Sequence, residues 1–464
     1  MRKFDLTLVG NGSISYVAAL KIKKAYPHLS ISIVGPKNKP YNASLAAGAM
    51  HAVFCEVEDT LKDSARDQQV FKLALESRAS WKEFLDEFQL NQIVTADSTI
   101  MYRRKKGTPF EVANFEAACS MANDYQCLED VSQSELETLF CGKLKSTDVI
   151  AKKFVGEFGF DVYDFFVQTE KRLKEMGVEL VDQKALKVEK VGQETHVQLI
   201  DGTCIASNKV IVAAGSYSAD LLPADFPMVP LYHAVGSAMS LDSAPSSYQN
   251  LRYVVRTPNR GGAQCGMHIV PRNYGRYYLG AGNYLSDSEP AHRIETLRYL
   301  IDMCETELYG KQCVYNTKAE VLLGSRPKSM DGYPIVGTCS RYPEIFVATG
   351  TYRIGLSLSP VLADEMCMWL DSGKCSEKIS NWAPDRDPHS YGTLEAATRY
   401  YSESRISNLI EHNLLDIDDE KAIAEKKIEL VQIANDLNDK VVKKMGLPAG
   451  YVVEPDMYAI LASV

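Results

Sequence analysis

The stretch FDLTLVGNGSISYVAALKIKKAYPHLSISIV, residues 4–34, decides the fold of this 464-residue chain. Its first part, FDLTLVG, is typical of a short buried strand, and YVAALKIKKAY is typical of a helix with an apolar stripe. The turn GNGSIS joins these two segments, and ISIV supplies a second short apolar strand. Because parallel strands need a crossover between them, this order predicts a βαβ unit of the Rossmann type.

The turn after the first strand carries most of the pattern by which such units bind a dinucleotide. Gly10 permits the tight turn, and Gly12 lets a pyrophosphate approach the backbone at the amino terminus of the helix. Ser15 stands where a third glycine normally allows close packing of helix and strand. Gly35 stands where the pattern expects an acidic residue for the ribose hydroxyls. We therefore predict a dinucleotide site with an unusual ribose end, and a purely structural turn is the alternative.

Composition and charge narrow the classes of partner. The chain is 45% hydrophobic and 24% charged, as expected for a globular protein with sizeable cores. Its 60 acidic and 51 basic residues give a net charge of -9, which disfavours nucleic acid and an anionic membrane as partners. No apolar run is long enough to predict a membrane-spanning helix. A small molecule or another protein is the partner that this charge favours. The eleven cysteines include no C-x-x-C pair, which indicates reduced thiols in a cytoplasmic protein.

Six stretches in a fixed order carry a resemblance to one enzyme family. They are VGNGSIS (9–15), NASLAAGAMH (42–51), NKVIVAAGSYSADLL (208–222), HIVPRNYGRYYLGAGN (268–283), GSRPKSMDGYPIVG (324–337) and FVATGTYRIGLSLSPVLADEM (346–366). With these segments the chain resembles the FAD-dependent D-amino-acid oxidase superfamily, and within it the glycine and sarcosine oxidase branch. The resemblance extends over roughly residues 4–373.

The resemblance implies an α/β fold with two domains. The Rossmann-type FAD-binding domain is expected to be discontinuous and to comprise residues 1–55, 151–219 and 321–385. Residues 56–150 and 220–320 are expected to form an α+β substrate domain with an antiparallel sheet. The sheet of the FAD-binding domain would then close only when three distant segments meet.

The resemblance also implies a substrate site in which Arg326 holds a carboxylate. A planar guanidinium donates two parallel hydrogen bonds to a carboxylate and so fixes its orientation as well as its position. In similar enzymes this arginine lies over the flavin ring, on a segment that leads from the substrate domain back to the flavin domain. Arg353, Tyr352 and His268, with Met267 beside it, match further positions at the substrate or the flavin. The alternatives are a surface arginine for Arg353 and a satisfied core histidine for His268.

The implied cofactor is FAD, and we expect it to be bound without a covalent link. Neither a cysteine after Arg326 nor a histidine before residues 46–48 stands where related enzymes attach the flavin. A helix capped by Ser359, with Pro360 in its first turn and Gly373 past its end, would direct its positive amino end at the flavin. The positions expected to bind the cofactor are Gly10, Gly12, Ser13, Ile14, Ser15, Ser44, Gly48, Met50, Ala185, Ala214, Gly215, Gly350, Ile354, Gly355 and Leu356.

The implied activity is oxidation of a carbon–nitrogen bond in a small amino acid or an N-substituted glycine. A neutral amine would transfer a hydride from its Cα or N-alkyl carbon to flavin N5, and O2 would reoxidise the flavin. Two alternatives stay open, namely a dehydrogenase that passes electrons to a partner and a non-catalytic scaffold subunit that binds flavin weakly. Arg326 and Arg353 argue against the scaffold, which has no use for a guanidinium in a pocket.

Residues 386–464 lie beyond the resemblance and form a C-terminal extension that is charged and helical in pattern. The spacing of Ile423, Ile428, Val431 and Ile433 predicts an amphipathic helix. We expect these helices to pack on the flavin domain or on a dimer partner. The alternative is a docking arm for a partner protein.

Overall fold

The computed structural model describes residues 1–38, 41–140, 144–242, 251–261, 264–308 and 315–463. Its strands are β1 (Arg2–Val9), β2 (Ile31–Val34), β3 (Met50–His51), β4 (Val94–Arg104), β5 (Leu128–Asp130), β6 (Val149–Phe160), β7 (Glu179–Val181), β8 (Ala185–Val191), β9 (Glu194–Leu199), β10 (Cys204–Val212), β11 (Leu231–Leu241), β12 (Tyr253–Arg256), β13 (Gln264–Pro271), β14 (Tyr277–Gly282), β15 (Tyr284–Ser286), β16 (Ala319–Ser329), β17 (Ile335–Cys339) and β18 (Tyr342–Thr349). Its α-helices are α1 (Ser13–Ala25), α2 (Ala65–Glu87), α3 (Pro109–Asp124), α4 (Gln133–Leu139), α5 (Val162–Glu175), α6 (Ser218–Leu221), α7 (Ile294–Met303), α8 (Gly355–Ser372), α9 (Leu394–Glu411), α10 (Glu420–Met445) and α11 (Tyr458–Ser463). These elements form two sheets with helices around them, which confirms the predicted α/β fold class.

The first sheet is built around β1. This strand pairs in parallel with β2 on one side and with β10 on the other, and β10 pairs in parallel with β18. The order across the sheet is β17, β18, β10, β1, β2, β7, and the hairpin of β8 and β9 is attached to β10. Val9 lies level with Val34 and with Val212, so the carboxyl ends of three strands meet at one edge. In open parallel sheets this edge is where ligands bind.

The second sheet is mostly antiparallel and has the order β15, β11, β14, β13, β12, β4, β6, β3. β16 pairs with β11 over its whole length, and the chain then enters β17 of the first sheet. The segment that contains Arg326 therefore crosses from one sheet to the other. β6 and β16 belong to the second sheet, whereas the predicted boundaries put residues 151–160 and 321–329 in the FAD-binding domain. The difference arises because strand partners far apart in the chain, and not local periodicity, decide which sheet a strand joins.

The main core lies between the first sheet and the helices that cover it. Trp81 of α2 and Trp369 of α8 are fully buried there, and Tyr16 of α1 packs edge-on against Phe166 of α5. The indole of Trp81 donates a hydrogen bond to the carbonyl of Ser357 at 2.9 Å. The first turn of α8 is thereby fixed against α2 inside the protein.

Helix α8 begins earlier than the sequence predicts. Its first residue is Gly355 and its cap position is Ile354, whereas Ser359 is the predicted cap. The Ser359 hydroxyl instead donates to the carbonyl of Gly355 at 2.8 Å, one turn back. Pro360 therefore lies inside the helix. Gly373 follows the last helical residue, as predicted, and it adopts the left-handed conformation. As a result, Gly355 and Leu356 belong to the amino end of the helix.

The C-terminal extension folds as α9, α10 and α11 and joins the apolar core on one face of the first sheet. Ala434, Val441 and Tyr458 belong to the same buried cluster as Val9 and Val347. On its other side the extension contacts α3, where the hydroxyls of Thr108 and Ser407 lie 2.6 Å apart. The extension is thus packed on the rest of the chain over both sheets.

The buried face of α10 differs from the predicted one. Leu430, Ala434 and Val441 are buried, whereas Ile428 is 74% exposed. The prediction relied on the large isoleucines, but the small side chain of Ala434 allows the close approach of α10 to its neighbours. The predicted stripe is therefore wrong at Ile428, although the helix itself is present.

The structure can be compared with two expectations from the sequence, the absence of a membrane-spanning helix and the reduced state of the cysteines. No helix in these ranges combines the length and apolar character needed to cross a membrane. The cysteines whose side chains are described are free, namely Cys55, Cys119, Cys127, Cys204, Cys304, Cys339, Cys367 and Cys375. Burial raises the pKa of the Cys119 thiol to about 12, so this residue is not a nucleophile near neutral pH.

We predict that Ala434→Glu destabilises the protein strongly and that Ile428→Glu on the same helix does not. Ala434 is fully buried and a charge there has no solvent, whereas Ile428 faces solvent. The expected cost at position 434 is several kcal/mol, about 3 or more, and it is measured by thermal or denaturant unfolding. Equal stability of the two variants would contradict the observed orientation of α10.

Candidate functional site

The main cavity opens where the carboxyl ends of β1, β2 and β10 meet. Its volume is about 740 Å³, which is within the range of cofactor sites. The predicted cofactor positions that line it are Gly10, Gly12, Ser13, Ile14, Ser44, Ala185, Ala214, Gly215, Gly355 and Leu356. Arg326, Tyr352 and Arg353 line the same cavity. Distant parts of the chain therefore meet at the position where α/β sheets bind ligands.

Gly10 is held directly against the backbone of β10. Its φ angle is +109°, and a Cβ atom placed on it would lie 2.3 Å from the carbonyl oxygen of Ala213. The Gly10 N–H donates to the carbonyl of Val34 at 2.9 Å, and the Ala213 N–H donates to the carbonyl of Val9 at 2.8 Å. No side chain fits at position 10, so the turn presents bare backbone to the cavity.

The neighbouring turn explains why position 35 has a glycine where the dinucleotide-binding pattern expects an acidic residue. A Cβ atom at Gly35 would lie 2.4 Å from Cγ of Asn11. Asn11 is fixed there because its Nδ2 donates to the carbonyl of Pro36 at 2.9 Å. The side chain of Asn11 thus fills the space that a carboxylate at position 35 would need.

Two helix amino termini face the main cavity. The first turn of α1 contributes Ser13 and Ile14 to the lining, and the first turn of α8 contributes Gly355 and Leu356. Ser44 accepts a hydrogen bond from the Ser13 N–H at 3.1 Å, which holds the loop before β3 against α1. N–H groups at a helix start favour negative charge, so one end of the cavity suits a pyrophosphate and the other suits an electron-rich ring. This cradle of bare backbone and helix ends fits FAD.

Arg326 lies in the cavity wall among neutral partners. Its Nη1 donates to the carbonyl of Gly282 at 3.3 Å and to Oδ1 of Asn283 at 3.2 Å. The Nδ2 of Asn283 donates in turn to the hydroxyl of Tyr352 at 2.6 Å. No carboxylate in the described part of the chain forms an ion pair with Arg326. Its positive charge is therefore open to an anionic ligand.

The turn that contains Tyr352 is held against the end of β16. Tyr352 has a φ angle of +47°, which is uncommon for a residue with a bulky side chain. Its N–H donates to the carbonyl of Pro327 at 2.7 Å, and Lys328 forms a β-bridge with Thr351. Backbone strain of this kind persists only where the surrounding structure imposes it, and it is common at ligand sites.

Arg353 differs from Arg326 because its charge is compensated within the protein. Nη2 of Arg353 pairs with Oε2 of Glu56 at 2.6 Å, and Nη1 of Arg256 pairs with Oε1 of the same carboxylate at 2.6 Å. Burial alone would raise the pKa of Glu56, but the two guanidinium groups hold it below its usual value. Glu56 thus stays ionised and competes with any carboxylate ligand for Arg353.

His268 is buried behind the main cavity and is neutral. Its ring stacks on Tyr278 with centroids 5.5 Å apart, and its Nδ1 lies 3.2 Å from the carbonyl oxygen of Gly266, which requires a proton on Nδ1. Burial, reinforced by the charge of Arg256, lowers the pKa of His268 to about 3. The ring lies against Gly48, where a Cβ atom would be 3.2 Å from Nε2.

A second cavity, which we call the side chamber, adjoins the main cavity at the turn formed by residues 351–353. Its volume is about 170 Å³, and it shares Thr351, Tyr352 and Arg353 with the main cavity. Its further polar lining consists of Glu56, Glu58, Thr60, Arg66, Asp67, Asn259, Asn283, Lys328, Ser357, Tyr391, Tyr400, Glu454 and Asp456. The last four of these residues belong to the C-terminal extension, so the extension reaches the site.

Lys328 connects the extension to the strand that carries Arg326. Its ammonium pairs with Asp456 at 2.9 Å and with Glu454 at 3.4 Å, and Arg66 pairs with Glu454 at 2.6 Å. Burial opposes the charge on Lys328, but the two carboxylates raise its pKa above the usual value. This buried cation therefore stays charged and holds the end of the extension against the site.

Some predicted positions lie away from the main cavity. The described residues that line it do not include Ser15, Gly48, Met50, His268, Gly350 or Ile354. Ser15 is fully buried within α1, and the carbonyl of Met50 accepts from the Ser357 hydroxyl at 3.4 Å. Gly350 and Ile354 line the side chamber instead, and Met267 is fully buried.

Sequence reasoning missed Asn283, Glu56 and Lys328. A signal for Asn283 was present, because it directly follows the small residues that end β14. Glu56 has no local signal, since its partners Arg256 and Arg353 lie 200 and 297 residues away in the chain. Lys328 stands within a conspicuous turn, but its partners belong to the extension, which the resemblance does not cover.

Comparison with known proteins agrees with this geometry. Residues 5–369 match the family described as DAO, FAD dependent oxidoreductase. The glycine oxidase of Bacillus subtilis (strain 168) is 25% identical over 374 residues, which cover 77% of this chain and 90% of that protein. The resemblance to the glycine oxidase branch is thus confirmed.

Solved structures show the same fold. The glycine oxidase of Geobacillus kaustophilus superposes with a TM-score of 0.69 at 18% identity, covering 83% of this chain and 100% of that chain. The L-proline dehydrogenase of P. horikoshii superposes with a TM-score of 0.65 at 14% identity, covering 83% and 98%.

We predict that Gly10→Ala abolishes the binding of FAD. The added methyl group would meet the carbonyl of Ala213, and neither backbone segment can move without opening the sheet. Binding is measured by titrating the flavin-free protein with FAD and following flavin fluorescence.

Gly202→Ala is the matched control for this prediction. Gly202 also has a positive φ, +82°, but a Cβ atom there meets nothing within 4 Å. The control carries the backbone cost of a left-handed alanine, about 1–2 kcal/mol, and should bind FAD normally. Unchanged FAD affinity in Gly10→Ala would refute the role of this contact.

Proposed function

The chain belongs to the family of FAD-dependent oxidoreductases, and on this premise we propose that it oxidises the carbon–nitrogen bond of a small amino acid or an N-substituted glycine. Two similar proteins are named for amino acids, one a glycine oxidase and the other an L-proline dehydrogenase. Their names support the substrate class, and the site must supply the recognition of a carboxylate next to an amine.

The observation that carries the proposal is the uncompensated charge of Arg326 in the wall of the main cavity. Its partners Gly282 and Asn283 are neutral, so a ligand carboxylate displaces no carboxylate of the described residues from Arg326. A guanidinium that donates two parallel hydrogen bonds fixes both the position and the plane of that carboxylate. Arg353, already paired with Glu56, is better suited to hold the turn that lines both cavities.

Neighbouring side chains hold the guanidinium group of Arg326 in position. Asn283 links Arg326 to the hydroxyl of Tyr352, so the three side chains form one hydrogen-bonded row. His268, which lies outside the cavity lining, is neutral near pH 7 because its pKa is about 3, so it adds no positive charge behind the site. The substrate amine is thus oriented by its own carboxylate.

FAD, when bound, supplies the acceptor for the hydride that leaves the substrate carbon. The Gly10 turn and the start of α1 would hold its pyrophosphate, and the start of α8 would face its ring. We infer that it is bound without a covalent link, because the described lining of the main cavity contains no cysteine. His233 in that lining is engaged, with its Nδ1 2.7 Å from the hydroxyl of Ser325.

The acceptor of the electrons is the finer part of the proposal. We favour O2, as in an oxidase, and a dehydrogenase that uses a partner protein is the alternative. The similar proteins include both an oxidase and a dehydrogenase by name. The scaffold alternative loses its basis, because Asn11 accounts for the missing acid at Gly35 without any loss of the cradle.

The test is an anaerobic titration of the FAD-loaded protein with small amino acids and N-methylated glycines. We expect the visible flavin absorbance to bleach with members of one of these classes and to return on admission of air. Bleaching that persists in air would identify a dehydrogenase. A flavin that no compound of the panel reduces would refute the proposed function.

We predict that Arg326→Ala lowers kcat/KM roughly 100-fold or more, since a displaced substrate reacts poorly even when it binds. The flavin spectrum should stay unchanged, because Arg326 is not part of the helix ends that hold the cofactor. Arg326→Lys is the matched variant, and it should retain part of the activity because it keeps the charge but not the forked geometry. Full activity of Arg326→Ala would exclude the carboxylate role.

A further inference from the structure

We propose that the side chamber binds a positively charged group at the far end of the substrate and that Glu58 is the carboxylate that receives it. This inference rests on the proposed function and extends it to a substrate class. The substrate would carry a carboxylate for Arg326, the amine that is oxidised, and a second basic nitrogen for Glu58.

Glu58 is the described acidic side chain of the chamber that has no ion-pair partner. It lines the chamber and accepts one hydrogen bond, from Nδ2 of Asn259 at 2.9 Å. The other acidic side chains there are paired, Glu56 with Arg353 and Arg256, Asp67 and Glu454 with Arg66, and Asp456 with Lys328. The described part of the chain thus supplies a cation for every chamber carboxylate except Glu58.

The surroundings of Glu58 favour a cationic ligand. Burial raises the pKa of Glu58 to about 7, against the charge of Arg353, and the charges of Asp67 and Asp456 raise it further. Without a cationic partner, ionisation of the buried Glu58 carboxyl therefore has an unfavourable desolvation free energy. An ammonium or guanidinium group beside it would offset this free energy. An anionic or purely apolar group would not offset this desolvation free energy.

The chamber is close to the carboxylate site and large enough for such a group. A single water molecule needs about 10–15 Å³ of cavity volume of this kind, and the chamber offers about 170 Å³. Asn283 lines the chamber and accepts a hydrogen bond from Arg326, while Tyr352 and Arg353 line both cavities. A substrate held at Arg326 thus has the chamber as its neighbour.

The C-terminal extension, which lies outside the family match, forms one wall of the side chamber. The match to the family ends at residue 369. The alignment with the glycine oxidase of Geobacillus kaustophilus covers all of that chain and 83% of this one. The chamber is lined in part by Tyr391, Tyr400, Glu454 and Asp456, which all follow the last residue of the family match.

The experiment compares 6-aminohexanoate with hexanoate as ligands of the FAD-loaded protein. Both carry a carboxylate on a chain of equal carbon number, both lack an α-amine and so escape oxidation, and only the first ends in an ammonium. Isothermal titration calorimetry should show about tenfold or more tighter binding of 6-aminohexanoate, as expected for a charge-assisted hydrogen bond in a secluded site. In Glu58→Gln this advantage should fall to about one, with the flavin spectrum and the hexanoate affinity unchanged.

Several outcomes would overturn the inference. Equal binding of the two ligands by the wild-type protein, or binding of neither, excludes a cation site in the chamber. An advantage that persists in Glu58→Gln excludes Glu58 as the receiving group. If Glu58→Gln does not fold, the wild-type ratio still decides whether the chamber prefers a cation.

Oxidation assays separate this inference from the proposed function. Anaerobic flavin reduction is followed with lysine and with norleucine, which differ in the terminal ammonium. Reduction by norleucine or N-methylglycine, with no advantage for 6-aminohexanoate in binding, would refute the chamber and keep the function. A Glu58-dependent binding advantage, with no amino acid able to reduce the flavin, would refute the function and keep the chamber.

Discussion

The close approach of Gly10 to the carbonyl of Ala213 is the constraint on which the rest of the site depends. It brings the carboxyl ends of β1 and β10 together without side chains between them, so the main cavity is bounded by backbone and by the start of α1. In the same turn, Asn11 occupies the space beside Gly35, where its Nδ2 donates to the carbonyl of Pro36. The part of the cavity around Gly10 is therefore formed by backbone and not by charged side chains.

The two arginines of the site show how chemistry follows from the partners of a residue and not from its type. Arg326 has neutral neighbours and offers a full charge to a ligand, whereas Arg353 shares Glu56 with Arg256. Both positions match one family pattern, and only the long-range contacts distinguish them. The different roles that we propose for them therefore follow from contacts between distant segments of the chain.

Local sequence patterns were sufficient to predict the βαβ unit, because the apolar periodicity and the glycine turn both lie within residues 4–34. The resemblance to a known family pointed to Arg326 and to most of the cradle residues, and the structure places these residues around one cavity. Neither source predicts contacts that depend on distant segments, such as Glu56 with Arg353 or Lys328 with Asp456. Ile428 was misplaced for a related reason, since the buried face of a helix is decided by what packs on it.

The side chamber has a consequence for how the protein is made. Its last wall comes from α9 and from the segment before α11, which leave the ribosome after the whole cofactor cradle has been synthesised. Domains fold as units while synthesis proceeds at about 5–20 residues per second. A nascent chain therefore passes through an interval in which the residues of the cradle have been synthesised and the last wall of the chamber has not.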